Sequence, residues 1–576
     1  MKNLLKTLIL IISLFSISNA NTHKPFIPKS DAPVSNIFFQ PNNVNTCFRS
    51  DGIFNYDKIN FAQNLAGLIW PVSAAQRLTI DYSSGIWIGA KINGDIRTAV
   101  SMYNSTFSPG NVPILGQVPP STVCSDSSFK GYLVNLVDQS LVNGGVRTKI
   151  AGGNTYYITY DAWSNWPVDK GAPYVEVNGI PGYQPGWNGD RPGIGNSNAR
   201  PDEISFMVFM DYTNCTDNLH IAEISLPGGT LPLGVEIQQV SFAVNIAPYA
   251  DMYFIKWKII NKSSNIWDST YICIADDPDI GDGTDDAAGC DSVRQMGYAY
   301  NGDNYDPMYG NAPPAVGYRI LQSPMKQTGN PLDTAKLPYG IYIGYKLIGL
   351  TGYNVFINTN DPCAGDPSDA NAGYFYMTGR NGCGNPLVNP ITNIPTKFKY
   401  NNRLNCEGMW TGWYDSIPSD VRQIMSMGPL NMHPSDTQII VTSVMAAKGI
   451  DYSGSVCQLL SLSDLAKQYY DTNFVITPIG IRNNSSEIPE TIKLYQNYPN
   501  PFNPNTKIKF QIAKLWNAKL TIYDALGREV TTLVNEQLRP GTYEVEWDGT
   551  NYASGIYCYR LLSGNYSEIR KMILLK

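Results

Sequence analysis

Near the C-terminus, Lys507-Ile508-Lys509-Phe510-Gln511-Ile512 alternates polar and apolar residues, as a strand with one buried face must. The same period of two returns where Tyr543, Val545 and Trp547 face one way and Thr542, Glu544 and Glu546 the other. Leu520 and Ile522 begin another strand, which turns at Gly527; Asp548-Gly549 is a turn signal, and 556–562 and 569–575 supply the last strands. Short strands separated by regular turns predict a small antiparallel sandwich over residues 493–576.

Upstream the apolar runs are short: 85–90, 204–210, 240–246, 253–260 and 438–444. Ile86, Ile88 and Ala90 alternate with Trp87 and Gly89, and Asn93-Gly94 then predicts a hairpin turn. Tyr253, Ile255 and Trp257 alternate with Phe254, Lys256 and Lys258. A single helix is predicted over 461–470, with Leu462, Leu465, Ala466 and Tyr469 at helical spacing and Ser463-Asp464 near its start. No short-period repeat of a solenoid or propeller is present. Composition agrees with this pattern: 37 Tyr, 50 Gly and 39 Pro favour strands and turns, and charged residues make up only 16%. The expected fold is mainly β, with one or two antiparallel β-sandwich-like domains in a body spanning 21–476.

Lys2 and Lys6, the apolar stretch 8–17 and Ser18-Asn19-Ala20 form a secretory signal at 1–20, with cleavage expected after Ala20. The apolar run is too short for a membrane anchor, and no other segment suits a transmembrane span. A polar stretch at 477–492, containing Asn483-Asn484-Ser485-Ser486, reads as a linker. Residues 493–576 hold eleven Lys and Arg against seven Asp and Glu, a net of +4. The whole chain carries −6, or −8 without the two lysines of the signal, so the body carries −12. An acidic body repels phosphate backbones, which argues against nucleic acid as a partner. Of ten cysteines nine lie in the body, with no CxxC pair. Export permits disulfides; Cys273 with Cys290, and Cys363 with Cys383, are the pairs that would close short loops, and an odd number leaves at least one body thiol free or paired with Cys558.

Residues 494–576 resemble the type IX secretion C-terminal sorting domain. The resemblance rests on Tyr498-Pro499-Asn500-Pro501-Phe502-Asn503-Pro504, the run from Ile522 through Gly527 and Arg528 to Val530, Gly541-Thr542-Tyr543, Ser554-Gly555-Ile556-Tyr557 and the ending from Lys571 to Lys576. Cys558 departs from it, standing where an aromatic is expected. The resemblance implies an Ig-like β-sandwich, recognition by the type IX export machinery, removal of the domain, and release of the body or its attachment to surface lipopolysaccharide. The expected location is outside the cell or on the outer surface of a Gram-negative-type bacterium. Independently of it, three prolines in seven residues stiffen the 498–504 loop and remove backbone donors. The body is similar to a group of large secreted proteins carrying the same domain, on Ser84-Gly85-Ile86-Trp87-Ile88-Gly89-Ala90, 276–291, 312–317 and 425–429. That similarity implies no particular activity.

The densest chemistry is Asp276, Asp277, Asp279, Asp282, Asp285, Asp286 and Asp291, seven carboxylates in 16 residues. Unscreened, they repel one another. Ca2+ takes six to eight oxygen ligands, and Gly281 and Gly283 permit the tight turns that would converge them; Asn301, Asp303, Asn304 and Asp306 offer more. The spacing is not that of an EF-hand, and the bland alternative is a solvated acidic loop. A second candidate cation loop is 174–193, against a plain Gly/Pro loop. Trp163, Trp166 and Trp187, and again Trp410 and Trp413, would be stacking platforms for sugars if exposed and core if buried. Catalysis has little support. Of three histidines, His220 opens a lone HxxE, and no HExxH, GxSxG or phosphate-binding glycine loop is present. The leading expectation is a structural or adhesive surface protein stabilised by Ca2+. The rivals are a glycan-active hydrolase using two carboxylates and a non-catalytic carbohydrate-binding protein.

Overall fold

A computed structural model describes residues 34–57, 65–151, 153–177, 180, 182–187, 189–194, 200–221, 226–337, 340–405, 409–474, 482–485, 491–513, 516–538, 541–550, 552–564 and 566–576. The signal at 1–20 and most of the linker lie outside these. The protein is mainly β and its named strands pair antiparallel.

Two sheets face each other in the body. The first has five strands in the order Gly352–Ile357, Val421–Met432, Trp267–Asp277, Ser83–Ile92, Asp95–Val100. The second has nine, running from Tyr132–Asn135 through Glu203–Met210, Val235–Ala243, Met252–Asn261, Thr437–Ala447, Ala315–Gln322 and Met296–Asn301 to Asp286–Asp291, with Ser108–Pro109 paired beside Glu203–Met210. Ile86, Ile88, Ile272, Ile274 and Met425 of the first meet Tyr253, Ile255, Trp257, Ile440 and Val444 of the second in one dry core. The alternation read in 85–90 and 253–260 therefore separates two buried faces, not an inside from an outside.

Each outer face is covered too. Trp87, Tyr271, Cys273 and Ile424 pack against Tyr374, Tyr376 and Met377 of the Ala370–Met377 helix. Phe242, Phe254, Val441 and Met445 pack against Val456, Leu459, Leu460, Ala466 and Tyr469 of the Tyr452–Asn473 helix. The body is thus four layers: helix, sheet, sheet, helix. The second helix is longer than the predicted 461–470, and its N-cap is Asp451, whose side chain accepts from the Gly454 N–H. Asp464 instead binds two arginines: Arg294 Nε at 3.1 Å and Arg319 Nη1 at 2.6 Å.

The chain crosses between the sheets twice at one corner. Met252–Asn261 runs into Trp267–Asp277, and Val421–Met432 runs into Thr437–Ala447. Asn261 ties the crossings together: its Nδ2 donates to the Met432 carbonyl at 3.0 Å, its N–H donates to Asp436 at 3.0 Å, and its carbonyl accepts from the Ser435 N–H at 2.8 Å. Asn93-Gly94 makes the predicted hairpin turn, both residues at positive φ (54° and 93°).

Cys363–Cys383, one of the two pairs able to close a short loop, is bonded. The other is not formed: Cys273 and Cys290 are free thiols, buried in different sheets. Cys124 bonds Cys215, a link of 91 residues that no loop argument anticipates. Cys457 is disulfide-bonded; Cys47 and Cys558 are free.

The C-terminal domain is a two-sheet sandwich of the orders Arg482–Ser485, Gly541–Asp548, Asn505–Ile512, Lys493–Leu494 and Glu529–Leu538, Trp516–Tyr523, Gly555–Ser563, Tyr566–Leu574. Tyr543, Val545 and Trp547 fill its core with Ile508, Phe510 and Ile512, as the alternation predicts. Two findings differ from the sequence reading: Arg482–Ser485, inside the presumed linker, pairs with Gly541–Asp548, and Glu529–Leu538 is an additional strand. No helix among the described residues is long and apolar enough to cross a membrane.

Candidate functional site

Asp276 and Asp277 end the Trp267–Asp277 strand, where antiparallel register sets Asp276 opposite Gln423 and Ser84. Asp276 is wholly buried; Gln423 Nε2 donates to its Oδ2 at 2.6 Å, and Oδ1 has no partner. Burial holds its carboxyl well above the usual range. Asp81, equally buried, accepts from Tyr318 and from Ser84 Oγ, and burial and then Asp276 raise it in the same way. These two acids belong to a buried network between the sheets, not to the surface.

Asp277 is buried beside them, and Asp279 and Asp420 are half-buried. Ligand oxygens of Asp277, Asp279 and Asp420 lie within 4.8 Å of one another. Asp279 folds back so closely that a Cβ on Gly283 would sit 2.0 Å from its Oδ1 and would force the carboxylate to move. Gly281 takes φ +71°. Asp420 directly precedes the Val421–Met432 strand and accepts Asn358 Nδ2 at 2.9 Å and Arg422 Nη1 at 2.6 Å. Arg422 Nε also lies 3.3 Å from Asp277 and 3.7 Å from Asp366. Three carboxylates, Asp277, Asp366 and Asp420, thus surround one guanidinium. Burial first, then the charge of Asp420, pushes Asp279 up to about 6. Burial raises Asp277 well above its ordinary value, with Arg422 opposing.

The remaining predicted ligands go elsewhere. Asp282 Oδ1 accepts from Thr284 Oγ1 at 2.8 Å, and Asp285 accepts Asn301 Nδ2 at 2.9 Å. Asp286 accepts the Ile280 N–H at 3.0 Å from within the core. Asp291 pairs with Arg294 at 2.8 Å and lines a cavity of about 210 Å³ with Asn401 and Thr411. Asp306 accepts the N–H groups of Asp282 and Met308, and Asp303 that of Tyr305. Asp420 was not foreseen: it lies far along the chain from Asp277, and only strand register brings it near.

Trp163 and Trp166 are 1% and 3% exposed, core residues and not sugar platforms. Trp187 stacks on Trp163 at 5.7 Å, and Trp413 packs edge-on against Tyr400. The side chain of Trp410 lies outside the described residues. In the 174–193 loop, Asp190 accepts from the N–H groups of Val177 and Gln184, which organises the turn from within. Both ring nitrogens of His220 face backbone carbonyls, of Thr98 and Asp211, so neither is open to act as a base.

In the C-terminal sandwich the proline-rich loop is stapled to the last strand. Phe502 is buried against Trp547 with ring centres 5.3 Å apart. Its N–H donates to Ile573, and its carbonyl accepts from Leu575. Asn500 Oδ1 accepts the Ile573 N–H at 2.9 Å, and the carbonyls of Pro499 and Pro504 accept from Thr506 and Gly549. Pro501 and Asn503 are exposed. Gly527 takes φ +79° in the turn that Asp524 braces by accepting Arg528 Nε at 2.7 Å. Gly541 pairs with Ile512, Gly555 with Leu574, and Tyr557 with Met572; the Lys571 carbonyl accepts from Gln496. Cys558 is half-buried opposite Lys571.

Residues 496–575 match the family model of the secretion system C-terminal sorting domain. No curated protein matches the chain. Among solved structures, a polysaccharide lyase aligns over 85% of this chain and 46% of its own length at 9% identity, with a TM-score of 0.14. The chain thus spans less than half of that lyase. PorZ, described as an essential bacterial surface component of the type-IX secretion system of Porphyromonas gingivalis, aligns over 93% of this chain and 74% of its own length at 9% identity and a TM-score of 0.13. At such scores neither likeness bears on fold or activity. The family match, on a sandwich that buries Phe502 and Trp547 in its core, identifies the last domain as a secretion-system C-terminal sorting domain, and the chain that carries it as a secreted or outer-surface protein.

Proposed function

We propose that the body is a non-catalytic structural or adhesive protein of the cell exterior, and that Asp277, Asp279 and Asp420 hold a Ca2+ ion. The supporting observation is the convergence of three carboxylates within 4.8 Å, with Asp366 nearby and Arg422 as their shared guanidinium. Left alone, such a group carries surplus negative charge in a partly dry setting. A hard divalent cation relieves it, with carbonyls and waters completing six to eight ligands. The ion would tie the loop after Trp267–Asp277 to the start of Val421–Met432. On this reading the signal at 1–20 is removed after Ala20, the sorting domain engages the type IX machinery, and the body is released or held on surface lipopolysaccharide.

The hydrolase reading needs two carboxylates facing one cleft. Two cavities among the described residues do not offer such a pair: one of about 210 Å³ is lined by a single carboxylate, Asp291, and one of about 150 Å³, beside Gln322 and Tyr342, by none. The carbohydrate-binding reading loses two of its platforms to the core, Trp163 and Trp166. The test of the proposal is elemental analysis of the purified chain, with melting curves in EDTA and in Ca2+. One bound Ca2+ per chain and a melting point several degrees lower in EDTA are expected. No stoichiometric metal and unchanged melting would sink the cation site.

A further inference from the structure

The chain leaves the first sheet at Ile357, the end of the Gly352–Ile357 strand, and returns to the body through the Ala370–Met377 helix. Residues 358–366 between them read Asn-Thr-Asn-Asp-Pro-Cys-Ala-Gly-Asp, and none of their side chains belongs to a hydrophobic core. Packing therefore does not fix this segment; directed bonds do. The Ile357 N–H donates to the Ala364 carbonyl at 2.9 Å, and Asp361 accepts from the N–H groups of Cys363, Ala364 and Gly365. Two ties fasten the segment to its surroundings. Tyr376 of the helix donates through its hydroxyl to the Gly365 carbonyl at 2.7 Å. Cys363 is bonded to Cys383, and the Gly382 N–H donates to the Cys363 carbonyl at 3.1 Å.

Both ends of the segment reach the carboxylates of the cation centre. Asn358 holds Asp420 twice: its Nδ2 donates to Asp420 Oδ2 at 2.9 Å, and its N–H donates to the Asp420 carbonyl at 3.1 Å. Asp366, at the other end, lies 3.7 Å from Arg422 Nε, on the guanidinium that also meets Asp277 and Asp420. The Nε N–H itself goes to the Tyr103 hydroxyl at 3.0 Å. Asp277 Oδ1 and Asp366 Oδ1 are shut off from solvent and accept no hydrogen bond, and Asp277 as a whole is 3% exposed. Buried carboxylate oxygens in that state favour a cation that meets their lone pairs.

We propose that the Cys363–Cys383 bond positions the cation centre: it holds residues 358–366 where Asn358 fixes the Asp420 carboxylate and Asp366 shares the charge of Arg422. With the segment released, Asp420 loses its orienting amide. Arg422 then turns its whole charge on Asp277 and Asp420, in competition with the ion. The inference rests on the Ca2+ reading of Asp277, Asp279 and Asp420, and adds to it what sets the affinity.

The test uses the mature full-length chain with Ca2+ alone as the probe, titrated calorimetrically at a temperature where circular dichroism shows every variant folded. The parent is expected to bind one Ca2+, and the Cys363→Ser/Cys383→Ser double variant to bind it about 10–100-fold more weakly. A disulfide that only stabilises the fold leaves the affinity of the folded chain unchanged. Asp366→Asn should weaken binding as well, but should add little once the disulfide is gone, because the segment no longer holds Asp366 in place. Should the double variant fail to fold, Tyr376→Phe takes its place: it keeps the disulfide and drops the hydroxyl tie to Gly365, and weaker binding upholds the inference. Affinity equal to the parent's in whichever of these variants is used, or losses from Asp366→Asn and the missing disulfide that add in full, overturn it. A parent that binds no Ca2+ is a different result: it overturns the cation reading, and this inference with it.

Discussion

Asp279 keeps its proton up to about pH 6, whereas in an unfolded chain it would lose it near pH 4. Between those values the folded state binds more protons, so this group's contribution makes the fold less stable as pH rises. Asp81, Asp276, Asp277 and Asp286 are raised in the same direction by burial and add to the trend. In EDTA the melting temperature should therefore fall as pH climbs from about 4 through 6, with Asp279 alone worth on the order of 2 kcal/mol. Ca2+ at neutral pH should reverse the fall, since it replaces the lost proton. Asp279→Asn should flatten the profile over that window; a profile identical to the parent's would contradict the assignment. Arg422→Gln should cost about 3–5 kcal/mol in urea unfolding without metal, because it leaves Asp277 and Asp420 uncompensated. Saturating Ca2+ should restore part of that loss. Half of this site could be read from the chain, since Asp277 and Asp279 stand in a dense acidic run. Asp420 and Arg422 could not, because the pairing register of two distant strands has no local signature.

Elements follow the same division. Where one face meets solvent, as in 507–512 and 542–547, period-two alternation located the strands. Glu529–Leu538 escaped because it bulges at Val530 and Leu533, opposite the steps after Ile522 and Leu520 of its partner, which breaks its own alternation. In the body both strand faces are buried, so alternation sorts one core from another and cannot mark an outside. The Tyr452–Asn473 helix begins with Ser453, Gly454 and Ser455, all poor helix formers, which is why its first turns were not foreseen. Packing overrides that weakness through Val456, Leu459 and Leu460. Leu459→Ala should accordingly cost about 2–5 kcal/mol in urea or thermal unfolding. Ile450→Ala, just before the cap and 91% exposed, should change stability by less than about 0.5 kcal/mol. Equal effects of the two would mean that the helix does not hold the sheet.

At the scale of the whole molecule, delivery and work are assigned to different parts. The sorting domain has its own core, built from Phe502, Phe510, Trp547 and Tyr559. Removing residues 494–576 should leave the body intact but stranded inside the native host, as cell fractionation would show; undiminished appearance outside would refute the role of the domain. Phe502→Ala should give a partial version of the same defect, by loosening the proline loop from the last strand.

Asn261 and the paired crossings around it bear on how such a cargo can travel. With each sheet borrowing a strand's neighbour from the other through one corner, no break in the chain yields a half with a closed interior of its own. The body is therefore expected to melt as a single unit. A calorimetric trace with one transition for the body, beside a smaller one for the sorting domain, is the signature of that indivisibility.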